Sequence, residues 1–330
     1  LKKSILKKAD TELTMSSYTS IGAYRIALLT RSARTILVEG DTDVTVIKRL
    51  LLEKSLDREC AGSRPVIDRV ALVNDAALSG LGNKCRVLTV SQAIPASAVK
   101  FRAFVDKEWS GYDFQQSSHV QFLENYNSTD NVWVTKGHSI ENYFFDNNYY
   151  REYFLRNFGD KLSPQFFELV PEVLDSALNV AFAFSVAARE AELIERCGGV
   201  MSRSVLRLVG QHQISLDLTE VRRLLSNRGA DEERLVLFAQ EYENALQISV
   251  RDITDKSIIR WLAHGHLGDS VVWSAFSLFA IGLGLDEDSA DQIQSGRRKE
   301  KISDGAHFIA QRADCEKAPL DALVEWAHEK

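Results

Sequence analysis

The chain has 330 residues, 45% apolar and 26% charged, which excludes a disordered or fibrous protein and supplies enough apolar mass for a sizeable core. Forty Lys and Arg against 46 Asp and Glu give a net charge of −6, so the molecule as a whole has no general attraction for phosphate backbones or anionic membranes. Any nucleic-acid contact must therefore come from a local basic patch or from bound metal, and the widely spaced Cys60, Cys85, Cys197 and Cys315 fit reduced thiols in a cytoplasmic protein, not a zinc finger.

Residues 1–30 read as a basic leading segment: Lys2, Lys3, Lys7, Lys8 and Arg25, continued by Arg31 and Arg34, outweigh Asp10 and Glu12. This is a solvated stretch or a contact for phosphate or a partner. The opening Leu1-Lys2-Lys3-Ser4 has no hydrophobic signal core and no small-residue cleavage site, so no targeting address is read from it. Thr35 to Glu39 is a short β-rich run that stops at Gly40-Asp41-Thr42. Val44, Ile47, Leu50 and Leu51 follow at helical spacing, with Asp41 or Thr42 as the expected cap. Further strands are expected at Val66–Val73, Arg86–Val90, Phe101–Val105 and Val132–Thr135, with a short helical piece at Gln121–Tyr126. Strands alternating with helices predict an α/β fold with a Rossmann-like, mostly parallel sheet.

From Ser139 onward apolar residues recur at helical spacing in Tyr143–Phe154, Phe166–Leu193, Leu216–Leu225, Arg234–Leu246, Ile258–Leu262, Val271–Leu283 and Leu320–Trp326. Gly198-Gly199 and Asn227-Arg228-Gly229 mark turns between helices. The longest apolar stretch, Val271–Leu285, is interrupted by Ser274, Ser277, Gly282 and Gly284 and falls short of the about 20 residues a spanning helix needs, so it predicts a buried core helix. The expected organisation is a leading segment over 1–30, an α/β domain over 31–150 and an α-helical domain over 151–330.

Open parallel sheets bind ligands in the crevice outside the carboxyl ends of their strands. Glu39 ends the first strand, Asp106 ends Phe101–Val105 with Glu108 two residues on, and Glu141 follows the strand at Val132. If these turns meet, several carboxylates crowd one rim, an arrangement that calls for cations, and Mg²⁺ or Mn²⁺ suits such hard oxygen ligands. Asp43 either joins that metal set or complements the helix dipole. Lys136, at another strand end, is a candidate to stabilise charge building on a phosphoryl group, or an ordinary surface lysine. Tyr143 and Phe144 are expected in the core. His138 is a candidate proton relay or incidental, and His264 and His266 are expected to serve helix-end packing or partner contact.

Ile36-Leu37-Val38-Glu39-Gly40-Asp41-Thr42-Asp43, followed by Phe104-Val105-Asp106-Lys107-Glu108-Trp109-Ser110-Gly111, resembles the Toprim domain shared by topoisomerases, primases, small ribonucleases and the nucleases of the OLD (overcoming lysogenisation defect) group. The run Thr135-Lys136-Gly137-His138-Ser139-Ile140-Glu141-Asn142-Tyr143-Phe144 is similar to the SIENY segment of the DUF4435 branch, which includes the Toprim effectors of the PARIS anti-phage defence system. The resemblance covers residues 35–145. Beyond them it is loose and carried by Ala263-His264-Gly265-His266-Leu267.

The resemblance implies that Glu39 is a metal ligand or general acid/base and that the D-x-D pair holds the metal. Here the second member of that pair is Glu108, and Lys107 stands between, where its ammonium would fill the space of a second ion. The resemblance further implies a toxic Mg²⁺-dependent ribonuclease acting on tRNA, unleashed by an ABC-type ATPase sensor and dimeric when active. The chain has no G-x-x-x-x-G-K-[ST] phosphate loop, so it is not expected to hydrolyse ATP itself and a separate ATPase partner is expected. No nucleophile elbow, Ser/His/Asp order or G-x-G-x-x-G appears. Two other functions stay open: a DNA nickase or endonuclease of the OLD type, and a degenerate Toprim binding or sensor subunit.

Overall fold

A computed structural model describes residues 17–56, 64–109, 112, 123–124, 127–129, 131–251, 253, 255–296, 298–312 and 318–329. The first half contains α1 (Ile21–Thr30), β1 (Thr35–Val38), α2 (Asp41–Leu56), β2 (Val66–Arg69), α3 (Asn83–Gln92), β3 (Phe101–Val105), β4 (Asn127–Thr129) and β5 (Val132–Val134). Strands run in the order β2-β1-β3-β5-β4, the first four parallel and β4 antiparallel at the edge. Most of the basic leader and most of the expected helical piece at 121–126 lie outside the described residues.

Every residue of β1 is buried, as a central parallel strand with both faces covered requires. Side-chain alternation sends Ile36, Val38 and Phe104 to one face, against Val46, Ile47 and Leu50 of α2. Leu37, Phe101, Ala103 and Val105 face the other side, against Tyr24 and Leu28 of α1 and Val87 and Val90 of α3.

Three expectations are corrected. Arg86–Val90 lies inside α3 and is not a strand. Its Val, Leu and Thr suggested β structure, but Val87, Val90 and Ile94 are buried at helical intervals, and that periodicity prevails. Neither Asp41 nor Thr42 precedes α2 as its cap. Both lie in its first turn, and Asp43 reaches back to accept a hydrogen bond from the Gly40 amide at 2.9 Å, one half of a capping box. The expected strand at Val66–Val73 is shorter, giving way to a 3₁₀ turn at Val70–Leu72.

After a 3₁₀ turn at Ile140–Phe144, the chain forms α4 (Asn147–Phe158), α5 (Pro164–Glu168), α6 (Val170–Glu190) and α7 (Ile194–Cys197). A hairpin of β6 (Leu206–Val209) and β7 (Gln213–Leu216) follows. It is an unexpected pair of strands in an otherwise helical half. The remainder is α8 (Leu218–Asn227), α9 (Glu232–Arg251), α10 (Lys256–Leu262), α11 (Gly265–Gly282), α12 (Glu287–Gln294), α13 (Arg298–Gln311) and α14 (Leu320–His328).

Helix α6 packs against α9 and α11, and an aromatic cluster that includes Tyr150, Phe154, Phe166, Trp273 and Phe276 closes the space beside it. Helix α13 lies on α2, so one hydrophobic core runs from Ile36 and Phe104 of the sheet to Phe308 and Leu323 of the last helices. The expected boundary at residue 150 falls inside α4, and the packing is continuous across it. The apolar stretch beginning at Val271 is a buried core helix, as expected. Among the described residues one helix, Val170–Glu190, has the length and composition to cross a membrane, and 72% of its apolar window is buried inside the fold.

Candidate active site

The sheet order creates a switch point. From β1 the chain moves to β2 on one side, then crosses back to β3 on the other, so the crevice between the carboxyl ends of β1 and β3 is where an open α/β sheet receives a ligand. Pairing of Val38 with Phe104 and of Val105 with Val134 sets Glu39, Asp106 and Thr135 at one rim.

At that rim the Asp106 amide donates to Glu39 Oε1 at 2.8 Å, and the Ile140 amide donates to Asp106 Oδ1 at 3.1 Å. Burial first, then the nearby Glu108 and Glu141, push the Glu39 carboxyl up to about 7, against the opposing pull of the Asp106 amide and Lys84. Burial followed by Glu39 and Glu141 likewise raises Asp43 to about 7, so Asp43 faces the acidic group while it caps α2. Asp106 is raised well above the usual carboxylate range by burial, then by Asp43, Glu141 and Glu39. The structure thus brings Glu39, Asp43, Asp106 and Glu141 into one electrostatic cluster.

Glu141 differs from its neighbours. Burial opposes its ionisation, but hydrogen bonds from His266 and Ser139 outweigh that effect and hold its carboxyl below the ordinary range. Ser139 Oγ donates to Glu141 Oε2 at 2.8 Å, and His266 Nδ1 lies 3.2 Å from Oε1. His266 was not expected here. It approaches because Gly265 begins α11 directly against the loop: a Cβ on Gly265 would stand 1.7 Å from Ser139 Oγ and 2.9 Å from Glu141 Oε2. His264 keeps the helix-end role expected of it, its Nδ1 accepting from the Leu267 amide at 3.5 Å.

Asn142 locks the same loop to α10. Its Oδ1 accepts from the Ser139 amide at 2.7 Å, and its Nδ2 donates to the carbonyls of Arg260 at 2.5 Å and Ala263 at 2.9 Å. Tyr143 and Phe144 are buried as expected, with Tyr143 OH donating to the Ala318 carbonyl. His138 is buried between Trp109 and His264, with ring centroids at 4.5 and 4.3 Å. Burial and then His264 push its pKa well down and keep it neutral, and its Nδ1 has no hydrogen-bond partner among the described residues.

A lysine meets an acid at this rim directly. Lys84, at the start of α3, donates to Glu108 Oε2 at 3.0 Å and to the Lys107 carbonyl at 2.8 Å, another contact that sequence reasoning missed. Burial and then Lys136 lower Lys107 to about 8. The Lys136 ammonium lies 5.0 Å from the centre of the Trp261 ring, and its amide donates to Tyr143 OH.

Among the described residues no three His, Cys, Asp or Glu side chains converge closely enough, as they stand, to hold a metal ion. The chemistry of the donor set fits a divalent cation all the same. It consists of carboxylate oxygens, the hard donors such a cation prefers, and the proton affinities of Glu39, Asp43 and Asp106 are raised by burial first and by neighbouring carboxylates second. Comparison with protein-family models and with curated proteins gives no match to this chain.

Proposed function

We propose that this protein is a metal-dependent phosphodiesterase with a Toprim-type site: an endonuclease that cleaves RNA, with tRNA as its substrate class. The observation that carries the reading is the hydrogen bond from the Asp106 amide to Glu39 at the switch point of a parallel sheet, with Asp43 and Glu141 beside it. Glu39 and Asp106 would hold Mg²⁺ or Mn²⁺, with Asp43 and Glu141 adjoining. When bound, the cation supplies Lewis-acid polarisation of the scissile phosphate and activation of the attacking oxygen.

The chain's own residues position and balance charge. The Ile140 amide fixes one oxygen of Asp106, and Ser139 and His266 fix Glu141 in its ionised form. Lys136 remains the candidate to balance charge on the phosphoryl group. The choice of RNA over DNA, the toxic role in anti-phage defence, release by an ABC-type ATPase sensor, dimerisation of the active form and cytoplasmic location rest on the sequence resemblance.

The test is expression of wild type and Glu39→Ala in cells without an ATPase partner, followed by growth measurement and sequencing of RNA 5′ ends. Growth arrest with discrete tRNA cuts that vanish in the variant is expected. Arrest with intact RNA would redirect the reading to DNA, and arrest that persists undiminished in Glu39→Ala would overturn it.

A further inference from the structure

Glu108, the acid that would complete the metal pair, has surroundings unlike those of the other carboxylates. Its φ of +55° lies in the left-handed region that a non-glycine residue seldom enters. Its amide, donating to the His138 carbonyl at 2.7 Å, anchors the turn. Its carboxylate is engaged by Lys84, which at the same time donates to the Lys107 carbonyl of the same turn. Two acceptors thus hold one ammonium, and the Lys84 side chain is 17% exposed against 47% for Glu108.

As a contribution to stability so exposed a pair is small. Its consequence is positional. A lysine ammonium is a compact cation, and a divalent ion bound through Glu108 would have to break this pair and sit beside the displaced positive charge. The resemblance pointed to Lys107 for such a role, but the side chain that meets Glu108 comes from α3.

We propose that Lys84 takes the place of a second metal ion: the site holds one divalent cation, on Glu39 and Asp106, and Glu108 is neutralised by Lys84. This rests on the metal-dependent reading of the same site and specifies its stoichiometry. The experiment is Mn²⁺ binding to the full chain, measured by calorimetry and by counting bound Mn²⁺ with electron paramagnetic resonance.

Wild type binds one Mn²⁺. Glu108→Gln also binds one, with less than the roughly tenfold loss of affinity expected for removing even a residue that supports a ligand. Lys84→Met gains a second, weaker site, which Lys84→Met/Glu108→Gln loses again. Two ions in wild type, a tenfold or greater loss in Glu108→Gln, or a single ion in folded Lys84→Met would overturn the inference while leaving the metal-dependent reading intact. No Mn²⁺ bound by wild type would overturn both. The Glu108→Gln arm decides the matter even if Lys84→Met fails to fold.

Discussion

The backbone amide of Asp106 donates a 2.8 Å hydrogen bond to Glu39 Oε1, tying together the carboxyl ends of two adjacent parallel strands. The bond secures one oxygen of Glu39 but cannot offset the burial and neighbouring acids that raise its proton affinity. The site is therefore electrostatically costly until a proton or a cation enters it.

That cost sets a pH dependence. Glu39 and Asp43 rise to about 7 in the folded chain, from unfolded values of about 4. For groups shifted upward, the associated stability is fully present below the unfolded pKa and is lost as pH rises through the folded one. The metal-free protein is expected to melt at a lower temperature at pH 8 than at pH 5.5 because of these groups. Glu39→Gln should flatten the trend. Added Mn²⁺ should raise the melting temperature more at pH 8, where the ligands are deprotonated, and an equal shift at both pH values would count against the assignment.

The His266–Glu141 pair titrates in a way that nuclear magnetic resonance can follow. Glu141 raises His266 above its ordinary value, and Glu141→Gln should return it downward. Stability from His266 is fully present below its unfolded pKa of about 6.5 and lost as pH rises through its folded one. With the imidazole 65% exposed that contribution is modest, and the chemical-shift titration is the better readout. An unshifted His266 would separate α11 from the site.

Gly265 is expected to tolerate no side chain, since its Cβ would collide with Ser139 Oγ. Gly265→Ala should cost about 1–3 kcal/mol, as overpacking does. Gly265→Ala/Ser139→Ala should recover part of the loss in urea unfolding, because the colliding oxygen is gone. Additive losses would show that the two residues do not meet.

Asn142→Ala should destabilise the fold by about 2–3 kcal/mol, because it leaves the buried groups it pairs without partners. Denaturant unfolding measures this directly. A change below about 0.5 kcal/mol, the range of an ordinary surface substitution, would contradict the role given to Asn142.

The parts of this site that follow apolar strands were legible in the sequence. Glu39 and Asp106 stand directly after Leu37-Val38 and Phe104-Val105, so locating the strands located the acids. The contributions of Lys84 and His266 were not legible, because they depend on which helix packs beside which strand. His266 meets a residue 125 positions earlier, and the local H-x-H pattern carries no sign of it. The β6–β7 hairpin escaped for another reason: two four-residue strands with only Leu206 and Ile214 buried give too short an alternation to read. Helix α13 carries Arg298, Lys299, Glu300 and Lys301 at its start, which masked the apolar face that packs on α2.

The most direct measurement of the central claim is cleavage of end-labelled tRNA and supercoiled plasmid by the purified chain, with Mn²⁺ or with chelator, beside Glu39→Gln. The account predicts Mn²⁺-dependent cuts in tRNA, an intact plasmid, and loss of about 100-fold or more in the variant, the scale seen when an electrostatic element of a transition state is removed. Cleavage that persists in chelator, or that Glu39→Gln leaves at the wild-type rate, would contradict it.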